Sequence, residues 1–336
     1  MQQITVKDIA NKLNLQYTTV SKALRNHPDI SEKTKKLVIS TAQEMDYHPN
    51  WIAKSFKSRR TNTIGVIVPS IKNDFYASVI SGIEEITYKD DFGIMVSQSN
   101  ESYHREVLNI RSFISNLVSG LIVCISQTTH SGDHLIALQK RGIPLVFFGR
   151  VCEDIETSKV VVDDYLGAFK AVEFLISSGY KTIAHFAGPQ DISISRDRHR
   201  GFMEALNKHH LPVDKELIFY GGLQEEDGMR SFQKLHKEGR KLPEAIFTVN
   251  DLVAIGIYSE TEKMGLKIPD DLAVIGFGNN KLSAYLNPPL TTVQQSPYNM
   301  GIKAAQIILN HIKEPDKIHR PKIEIIKPEL ILRKST

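Results

Sequence analysis

The chain has 336 residues, of which 41% are apolar and 24% charged, a composition that fits a folded globular protein and excludes a disordered one. At roughly 100–200 residues per domain, this length predicts two or three domains. No apolar run reaches the ~18 residues of a membrane-spanning helix, and the N-terminus lacks the apolar core of a signal peptide. The two cysteines, Cys124 and Cys152, cannot build a disulfide framework, and Cys124 lies in the apolar run GLIVCI. We therefore expect a cytoplasmic protein with no membrane segment, in which Cys124 is a buried apolar residue.

The positive charge is concentrated at the N-terminus. Residues 1–63 contain eleven Lys and Arg against five Asp and Glu, a net charge of +6. The remaining 273 residues contain 31 Lys and Arg against 33 Asp and Glu, a net charge of −2. A small basic module on a near-neutral body is typical of a nucleic-acid-binding segment, although a solvated basic surface gives the same totals.

Residues 5–24 predict two short helices joined by a tight turn. Thr5 is a suitable N-cap, and Asp8 falls at the third helical position, where its carboxylate can reach back to the cap. Asn14 tolerates the left-handed conformation that the turn needs, and a second helix is predicted from Tyr17 to Leu24. This is a helix-turn-helix pattern, whose second helix can enter the major groove of DNA.

The second predicted helix has an outward face that can hydrogen-bond to bases or phosphates. Its members are Tyr17, Thr18, Ser21 and Lys22, with Arg25 at the helix end. A third helix is predicted from Ser31, a good N-cap, to about Met45. The residues expected to point inward from it are Leu37, Val38, Thr41, Ala42 and Met45.

Residues 47–60 combine apolar and basic side chains on a segment too short to be a stable helix alone. Pro49 ends the preceding element, and Asn50 can cap a short helix that begins at Trp51. Such a segment is expected to fold on binding DNA and to offer an apolar wedge for the minor groove, with a plain interdomain linker as the alternative.

From Asn62 onward, apolar runs of strand length alternate with amphipathic stretches of helix length. The apolar runs cover 63–68, 92–97, 120–125, 144–149, 182–188, 245–249 and 272–277. The amphipathic stretches cover 76–88, 105–117, 167–179, 198–209 and 252–265. This alternation predicts βαβ units with parallel strands that are buried on both faces.

About 270 residues are too many for one such sheet, so we expect two α/β lobes with a break near residue 160, where KVVVDD opens a second series. The tail, a helix over 298–312 followed by IEIIKPELILR, is expected to cross back to the first lobe. Two lobes joined by several crossings form a cleft suited to one small molecule.

The chain resembles the lactose-repressor/galactose-repressor (LacI/GalR) family of bacterial transcription regulators over essentially its full length. Near the N-terminus the resemblance rests on TVKDIANKLNLQYTTVSKAL, ISEKTKKLVISTAQEMDYHPN and TNTIGVIVPSIKNDFY. In the body it rests on TVNDLVAIG, MGLKIPDDLAVIGF and PPLTTVQQ. The order and spacing of these pieces, rather than any one of them, make the resemblance specific.

The resemblance implies a repressor whose affinity for operator DNA is changed by a small-molecule effector, most commonly a carbohydrate. It implies a small all-α helix-turn-helix headpiece over 1–49, a hinge helix and linker over 50–61, and an effector-binding and dimerisation domain over 62–336. That body is α/β, with parallel sheets and two lobes like those of a periplasmic sugar-binding protein. The family binds pseudo-palindromic operators as homodimers. No heptad repeat follows the final strand, so we expect a dimer.

By match to the family pattern, one set of side chains contacts bases: Tyr17, Thr18 and Lys22. A second set positions the headpiece on phosphates: Thr5, Thr19, Ser21 and Asn26. In the hinge, Ala53 and Lys57 fit the family, while Phe56 stands where a leucine usually wedges into the minor groove. Gln16 replaces the usual serine cap of the second helix, and its amide can still accept the capping hydrogen bond, although less compactly than serine.

In the cleft, the resemblance assigns effector contacts to Phe75, Arg198 and Asn250, which begins an Asn-Asp pair with Asp251. From its own sequence context Phe75 could equally be a core residue. Gly278 stands where the family usually has an aspartate, so the common pose of a sugar is not assured. Asn279 could substitute through its amide, or a larger effector could approach the glycine.

Other functions fit the sequence less well. A solute-binding protein without enzymatic activity is the alternative for the body, but it would carry no helix-turn-helix. The sequence has no dinucleotide-binding, nucleophile-elbow or P-loop motif, so we expect neither an enzyme nor a cofactor. His130 and His134 have metal-ligand spacing but no third ligand, so no metal site is expected, and His185 is expected to be a core histidine.

Overall fold

The computed structural model describes residues 4–47, 61–237 and 241–336 of the chain. The described residues form two compact units that divide between Thr61 and Asn62. They contain eleven α-helices and twelve β-strands. None of the described helices is both long and apolar enough to cross a membrane.

The first unit consists of three helices, α1 (Val6–Leu13), α2 (Tyr17–Leu24) and α3 (Glu32–Glu44), as the sequence pattern predicts. Its small core is formed by Ile9, Ala10, Val20, Ala23, Val38 and Ala42. The prediction that Leu37 points inward is wrong, because this residue is 50% exposed. The inward-facing residues of α3 and its C-cap are Val38, Thr41, Ala42 and Met45, which follow the helical period. Leu37 directly precedes Val38 and lies outside this stripe.

Local hydrogen bonds fix the ends of these helices. The carboxylate of Asp8 accepts hydrogen bonds from the backbone N–H and the hydroxyl of Thr5, both at 2.7 Å, as the sequence predicts. Asn14 adopts the expected left-handed conformation, with φ of +50°. The prediction for Gln16 is wrong: it is the N-cap of α2, but its side chain makes no capping hydrogen bond. Its chain is longer than that of serine, so folding the amide back restricts more torsions.

The second unit is an α/β body. Its helices are α4 (Asp74–Lys89), α5 (Tyr103–Ser115), α6 (Asp133–Lys140), α7 (Asp164–Ser177), α8 (Ser193–Lys208), α9 (Glu225–Lys237), α10 (Asp251–Lys263) and α11 (Pro297–Lys313). Its strands are β1 (Thr63–Val68), β2 (Gly93–Gln98), β3 (Gly120–Val123), β4 (Leu145–Phe148), β5 (Ser158–Val162), β6 (Ile183–Phe186), β7 (Ile218–Phe219), β8 (Ala245–Thr248), β9 (Ala273–Gly278), β10 (Thr291–Gln294), β11 (Ile323–Ile326) and β12 (Glu329–Ile331).

The strands form two six-stranded sheets, one in each lobe. The first lobe has the order β11-β5-β4-β3-β1-β2, and the second has β12-β10-β9-β8-β6-β7. All described pairings are parallel except that of β12 with β10. The predicted α/β class, with parallel sheets and two lobes, is therefore confirmed.

The first crossing between the lobes lies close to the expected break near residue 160, but the strand that precedes it belongs to the first lobe. The strand in KVVVDD does not open the second series, because β5 pairs with β4 and belongs to the first sheet. The crossing follows Val162. The tail does return to the first lobe, where β11 pairs with β5, but β12 then crosses again and pairs with β10.

The helix α11 is held on the first lobe by close contact with α4. A Cβ atom on Gly82 would lie 2.1 Å from the carbonyl oxygen of Tyr298, and one on Gly301 would lie 2.1 Å from that of Val79. Both positions therefore require glycine for the two helices to approach so closely. This contact fixes the tail on a lobe from which it is distant in sequence.

The prediction that all the apolar runs are buried on both faces is wrong for β2. This strand forms the edge of the first sheet, and its residues Met95 and Val96 are exposed. The apolar run indicates a strand, but only the tertiary arrangement decides whether the strand is central or at an edge.

His185, on β6, is fully buried, as expected of a core histidine, and stacks on Phe202 and Phe247. Its Nδ1 lies 3.1 Å from the carbonyl oxygen of Phe247, while its Nε2 has no hydrogen-bond partner among the described residues. Its ring also stacks parallel to that of His199, with centroids 5.5 Å apart. Burial lowers the pKa of His185 to about 3, so the imidazole is neutral in the folded protein.

We predict that His185 makes the body less stable in acid. Below its ordinary pKa of about 6.5 the unfolded state takes up a proton that the folded state excludes, so stability falls as the pH drops from 6.5 toward 3. His185→Phe should reduce this loss of unfolding free energy by up to about 1.4 kcal/mol per pH unit. Urea unfolding at pH 7, 6 and 5 measures it, with the exposed His104→Phe as control. An identical pH dependence in wild type and His185→Phe would contradict the prediction.

Candidate functional site

The outward face of α2 is available for DNA. Tyr17, Thr18 and Lys22 are exposed, while Thr19 and Ser21 are half-buried. The opposite face carries Val20 and Ala23, which are buried against the core. This division of the helix follows from its periodicity. It leaves hydroxyls, a phenol and an ammonium on the surface, which can hydrogen-bond to bases and phosphates.

Lys22 is paired within the first unit. Its Nζ lies 2.9 Å from Oδ2 of Asp29, and both side chains are exposed. The hydrogen bond from Lys22 lowers the pKa of Asp29, with a smaller contribution from His27. An exposed ion pair contributes little to stability, so Lys22 can exchange Asp29 for a base or phosphate.

Two further predicted phosphate contacts lie at helix ends. Thr5 is exposed at the N-cap of α1, and its hydroxyl donates to Asp8. Asn26 is exposed just after α2, with φ of +53°. The predicted hinge residues Ala53, Phe56 and Lys57 lie outside the described residues.

The cleft lies between the two lobes of the body, where residues that directly follow the strand ends line a volume of ≈ 1460 Å³. Examples are Pro69 after β1, Cys124 after β3 and Gly149 after β4, and Asn250 lies two positions after the end of β8. The carboxyl ends of parallel strands are the usual location of ligands in such sheets. Burial raises the pKa of the Cys124 thiol to about 11, which fits the predicted inert apolar role.

Arg198 is anchored at the floor of the second lobe. It is 3% exposed; its Nε donates to Oδ1 of Asp164 at 2.8 Å, and its Nη1 donates to the carbonyl oxygen of Val249 at 2.5 Å. The guanidinium lies 3.7 Å above the ring centroid of Phe277. Burial raises the pKa of Asp164, while the adjacent Arg198 opposes that rise. The cation therefore occupies a preformed position in the cleft.

Asp251 organises the neighbouring part of the floor. It is 2% exposed and accepts hydrogen bonds from Thr292 Oγ1 at 2.5 Å, Ser283 Oγ at 2.7 Å and the backbone N–H of Asn280 at 2.6 Å. Burial raises its pKa, and these three donors act against that rise. Asp251 thus joins the N-terminus of α10 to β10 and to the loop after β9.

Asn250 and Asn279 line the cleft, but both side chains are bound within the protein. Asn250 caps α10 by accepting from Val253 N–H at 2.9 Å, and its Nδ2 donates to the carbonyl oxygen of Leu223 at 2.9 Å. Asn279 donates to Gln294 and accepts from Arg333 Nη2 at 2.7 Å. An amide with both ends bound has limited capacity to meet a ligand.

Phe75 packs on the core and also lines the cleft, and its contact with an effector stays a prediction. It is half-buried against the core of the first lobe and stacks edge-to-face on Tyr76 with ring centroids 5.2 Å apart. It also lines the cleft opposite Gly149. Its exposed edge offers an apolar surface to a ligand.

A second charge pair lines the cleft from the first lobe and was not predicted. Nη1 of Arg150 donates to both carboxylate oxygens of Glu101, at 3.0 and 2.7 Å. Arg150 is buried, and its Nε has no partner among the described residues. The position of Arg150, just after β4 at a carboxyl strand end, is the one sequence signal that could have indicated it.

The two histidines with metal-ligand spacing do not converge. His134 lies 2.8 Å from Oε1 of the buried Glu106, whereas His130 faces Asp191 at 4.0 Å. No cluster of three or more metal-ligating side chains occurs among the residues that the structure describes.

Comparison with known proteins identifies both parts of the chain. Residues 5–50 match the family model described as bacterial regulatory proteins, lacI family, and residues 172–336 match that of a periplasmic binding protein-like domain. The HTH-type transcriptional repressor PurR of Actinobacillus pleuropneumoniae serotype 3 (strain JL03) is 30% identical over 331 residues, which is 98% of each chain.

Solved structures also resemble the chain, and two of them illustrate the range of similarity. The Lac repressor dimer bound to operator and the anti-inducer ONPF has a TM-score of 0.86 at 22% identity and covers 99% of each chain, which shows a common fold. A LacI family transcriptional regulator from Enterococcus faecium with bound ribose has a TM-score of 0.72 at 27% identity, covering 82% of this chain and 98% of that one. The chain therefore belongs to the lacI family of bacterial regulatory proteins, which are transcription regulators rather than enzymes.

Proposed function

We propose that the chain is a homodimeric, cytoplasmic repressor that binds a pseudo-palindromic operator through α2. A small molecule, a sugar or a sugar derivative, binds between the lobes and changes the affinity for the operator. The observation that carries this proposal is the presence, in one chain, of an exposed polar helix face on a basic module and of a cleft with a preformed buried Arg198–Asp164 pair.

The size of the cleft supports a closing movement on ligand binding. Its ≈ 1460 Å³ exceeds the ~300–1,000 Å³ of a typical closed ligand pocket. The lobes are connected by three crossings, after Val162, before α11 and between β11 and β12. A ligand that contacts both lobes would favour the state in which they are closer, and differential binding of this kind is what an effector needs.

The exposed edge of the first sheet supports dimerisation. Met95 and Val96 on β2 are exposed, and so is Leu108 on α5, the helix that packs against β2. An apolar edge strand left in solvent promotes uncontrolled pairing. A second copy of the chain would cover it, as expected of a protein that reads a pseudo-palindromic site.

The DNA-binding proposal predicts that Lys22→Ala removes a base contact. The operator sites are first selected from random DNA with the wild-type protein. On these sites, Lys22→Ala should reduce the preference for one base at one position of each half-site. The binding free energy for the preferred base should fall by about 1–3 kcal/mol. The matched control is Lys36→Ala on α3, an exposed lysine without an ion pair among the described residues. It should weaken binding to all sequences about equally.

Gel-shift titrations against operators with single base changes measure this difference. Lys35 would be a poor control, since it is buried and paired with Glu32 at 2.8 Å. An equal loss by Lys22→Ala on every DNA sequence would remove Lys22 from base recognition.

The effector proposal predicts that the Arg198–Asp164 pair is needed for the response but not for DNA binding. Changing Arg198 alone would leave a buried carboxylate without its partner and destabilise the fold. The double variant Arg198→Met/Asp164→Asn removes both charges. Without effector, it should bind operator with an affinity within about twofold of wild type. The change in operator affinity that the effector causes should be at least about tenfold smaller than in wild type.

The second lobe offers a matched control for this test. Arg200 and Asp197, on the same helix α8, form an exposed ion pair at 3.1 Å. Arg200→Met/Asp197→Asn should leave the effector response intact. Operator titrations with and without the effector measure both variants, and a normal response of the Arg198 double variant would exclude this pair from effector binding.

A further inference from the structure

Two adjacent charged contacts connect the lobes, and their four side chains lie outside the lining of the cleft. Nη2 of Arg196, in the first turn of α8, lies 3.2 Å from Oε1 of Glu153, in the loop between β4 and β5. Nδ1 of His130, in the loop between β3 and α6, lies 4.0 Å from Oδ2 of Asp191, which precedes α8. Each contact therefore joins the first lobe to the second.

The two contacts form one continuous chain of interactions. Nη1 of Arg196 donates to the backbone carbonyl oxygen of Asp191 at 3.1 Å, so one guanidinium holds both Glu153 and the loop before α8. The carboxylate of the same Asp191 faces His130. Both ends of this chain lie on the first lobe and its middle lies on the second. We call it the interlobe bridge, and its members are Glu153, Arg196, Asp191 and His130.

The backbone at each end of the interlobe bridge is held by packing. On the first lobe the loop after β3 packs on the loop after β4, since a Cβ atom on Gly132 would lie 2.4 Å from Cγ1 of the buried Ile155. On the second lobe Ile192 directly follows Asp191 and is buried in the core. The bridge thus joins two surfaces that are each well anchored, and a change in the separation of the lobes must stretch it.

The side chains of the interlobe bridge are exposed, by 46–69%. Exposed ion pairs contribute little to the free energy of unfolding. The separation of the lobes is a different equilibrium, because it changes without unfolding either core. A contact present in only one arrangement shifts that equilibrium by its whole free energy. A weak contact between the lobes is therefore sufficient to change their populations several-fold.

The helix α8 links the interlobe bridge to the inner cleft. Arg196 lies two residues before Arg198, whose guanidinium is held in the cleft by Asp164. A movement of the first turn of α8 relative to the first lobe therefore displaces the bridge and the buried arginine of the cleft together.

We propose that the interlobe bridge is an electrostatic latch that holds the two lobes at one separation when no ligand is bound. It adds to the free energy that an effector must supply to move the lobes. This consequence rests on the proposed function, since regulation by a movement of the lobes belongs to it. The latch itself is a property of the ligand-free body, so it is tested without an effector.

The test is a measurement of the distance between the lobes of the full-length protein by double electron–electron resonance. Spin labels are attached to the variants Ala137→Cys on α6 and Asn207→Cys on α8, at two exposed positions on different lobes. The native Cys124 and Cys152 are buried, which protects them from the label. Labelled chains are diluted into an excess of unlabelled chains, so that the measured distance lies within one chain.

Charge reversal should break the interlobe bridge, and a charge swap should restore it. Glu153→Arg and Arg196→Glu each place like charges together, so the fraction of molecules at the wild-type distance should fall about threefold or more. Glu153→Arg/Arg196→Glu restores an opposite pair and should recover the wild-type distance distribution. The matched control is Arg200→Glu, because Arg200 is exposed on the same helix but pairs with Asp197 within the second lobe. It should leave the distribution unchanged.

Salt provides a second measurement that needs no charge reversal. At about 1 M NaCl the Debye length falls to ~3 Å, so exposed ion pairs are screened. The wild-type distance distribution should then move toward that of Glu153→Gln/Asp191→Asn, which lacks both acids of the interlobe bridge. The distribution of this double variant should stay the same at low and high salt.

Two results would overturn the proposal: an identical distance distribution in wild type and the charge-reversal variants, or a charge swap that does not recover the wild-type distribution. Failure of the proposed function gives a different result. In that case charge reversal changes the distance between the lobes, but the affinity of Glu153→Arg for operator DNA equals that of wild type.

Discussion

The buried carboxylate of Asp251 is the constraint on which the second lobe's part of the cleft depends. It lies at the first position of α10, where the helix N-terminus favours a negative charge. Its two oxygens accept from Thr292, Ser283 and Asn280, so one side chain ties together α10, β10 and the loop that follows β9. With one of these donors removed, a desolvated charge would be left undersatisfied.

Two features of the β9 strand follow from that arrangement. A Cβ atom on Gly276 would lie 2.2 Å from Oδ1 of Asp251, so only glycine leaves room for the carboxylate. Gly278, with φ of +132°, precedes the turn in which the Asn280 N–H reaches the same carboxylate, and Asn279 is fixed by Gln294 and Arg333. The cleft floor is therefore organised before any ligand arrives, which lowers the cost of ordering it on binding.

The periodicity of apolar residues predicted most helices and strands, but not how the strands pair into sheets. The apolar runs at β1, β8 and β9 and the amphipathic stretch at α8 indicate strands and a helix because burial imposes their spacing. The polar strand β10 escaped prediction because its threonines are buried: Thr292 donates to the Asp251 carboxylate, and Thr291 bonds to Thr336 and to the backbone N–H of Arg333. Which sheet β5 joins is decided by pairing between distant segments, which a local pattern does not contain.

Only some of the residues that line the cleft were predicted from the sequence, because a local pattern does not show which polar side chains become buried. Arg198 and Phe75 were indicated by resemblance, and both line the cleft. Asp164 and Arg150 were missed, and Asp251 was named only as the second member of the Asn-Asp pair, because a charged residue in a sequence is ordinarily exposed. Their importance arises from burial, and burial of a polar group appears only when its partners are brought together in three dimensions.

Hydrogen exchange at the Asn280 amide tests the role of Asp251 most directly. In Asp251→Asn an uncharged amide replaces the carboxylate, so the hydrogen bonds that this side chain makes lose their charge assistance and the loop after β9 should open more often. We predict that protection of the Asn280 N–H falls about tenfold or more, while the exposed Asp270→Asn leaves it unchanged. Equal protection of the Asn280 amide in wild type and Asp251→Asn would contradict the claim that this carboxylate holds the cleft floor together.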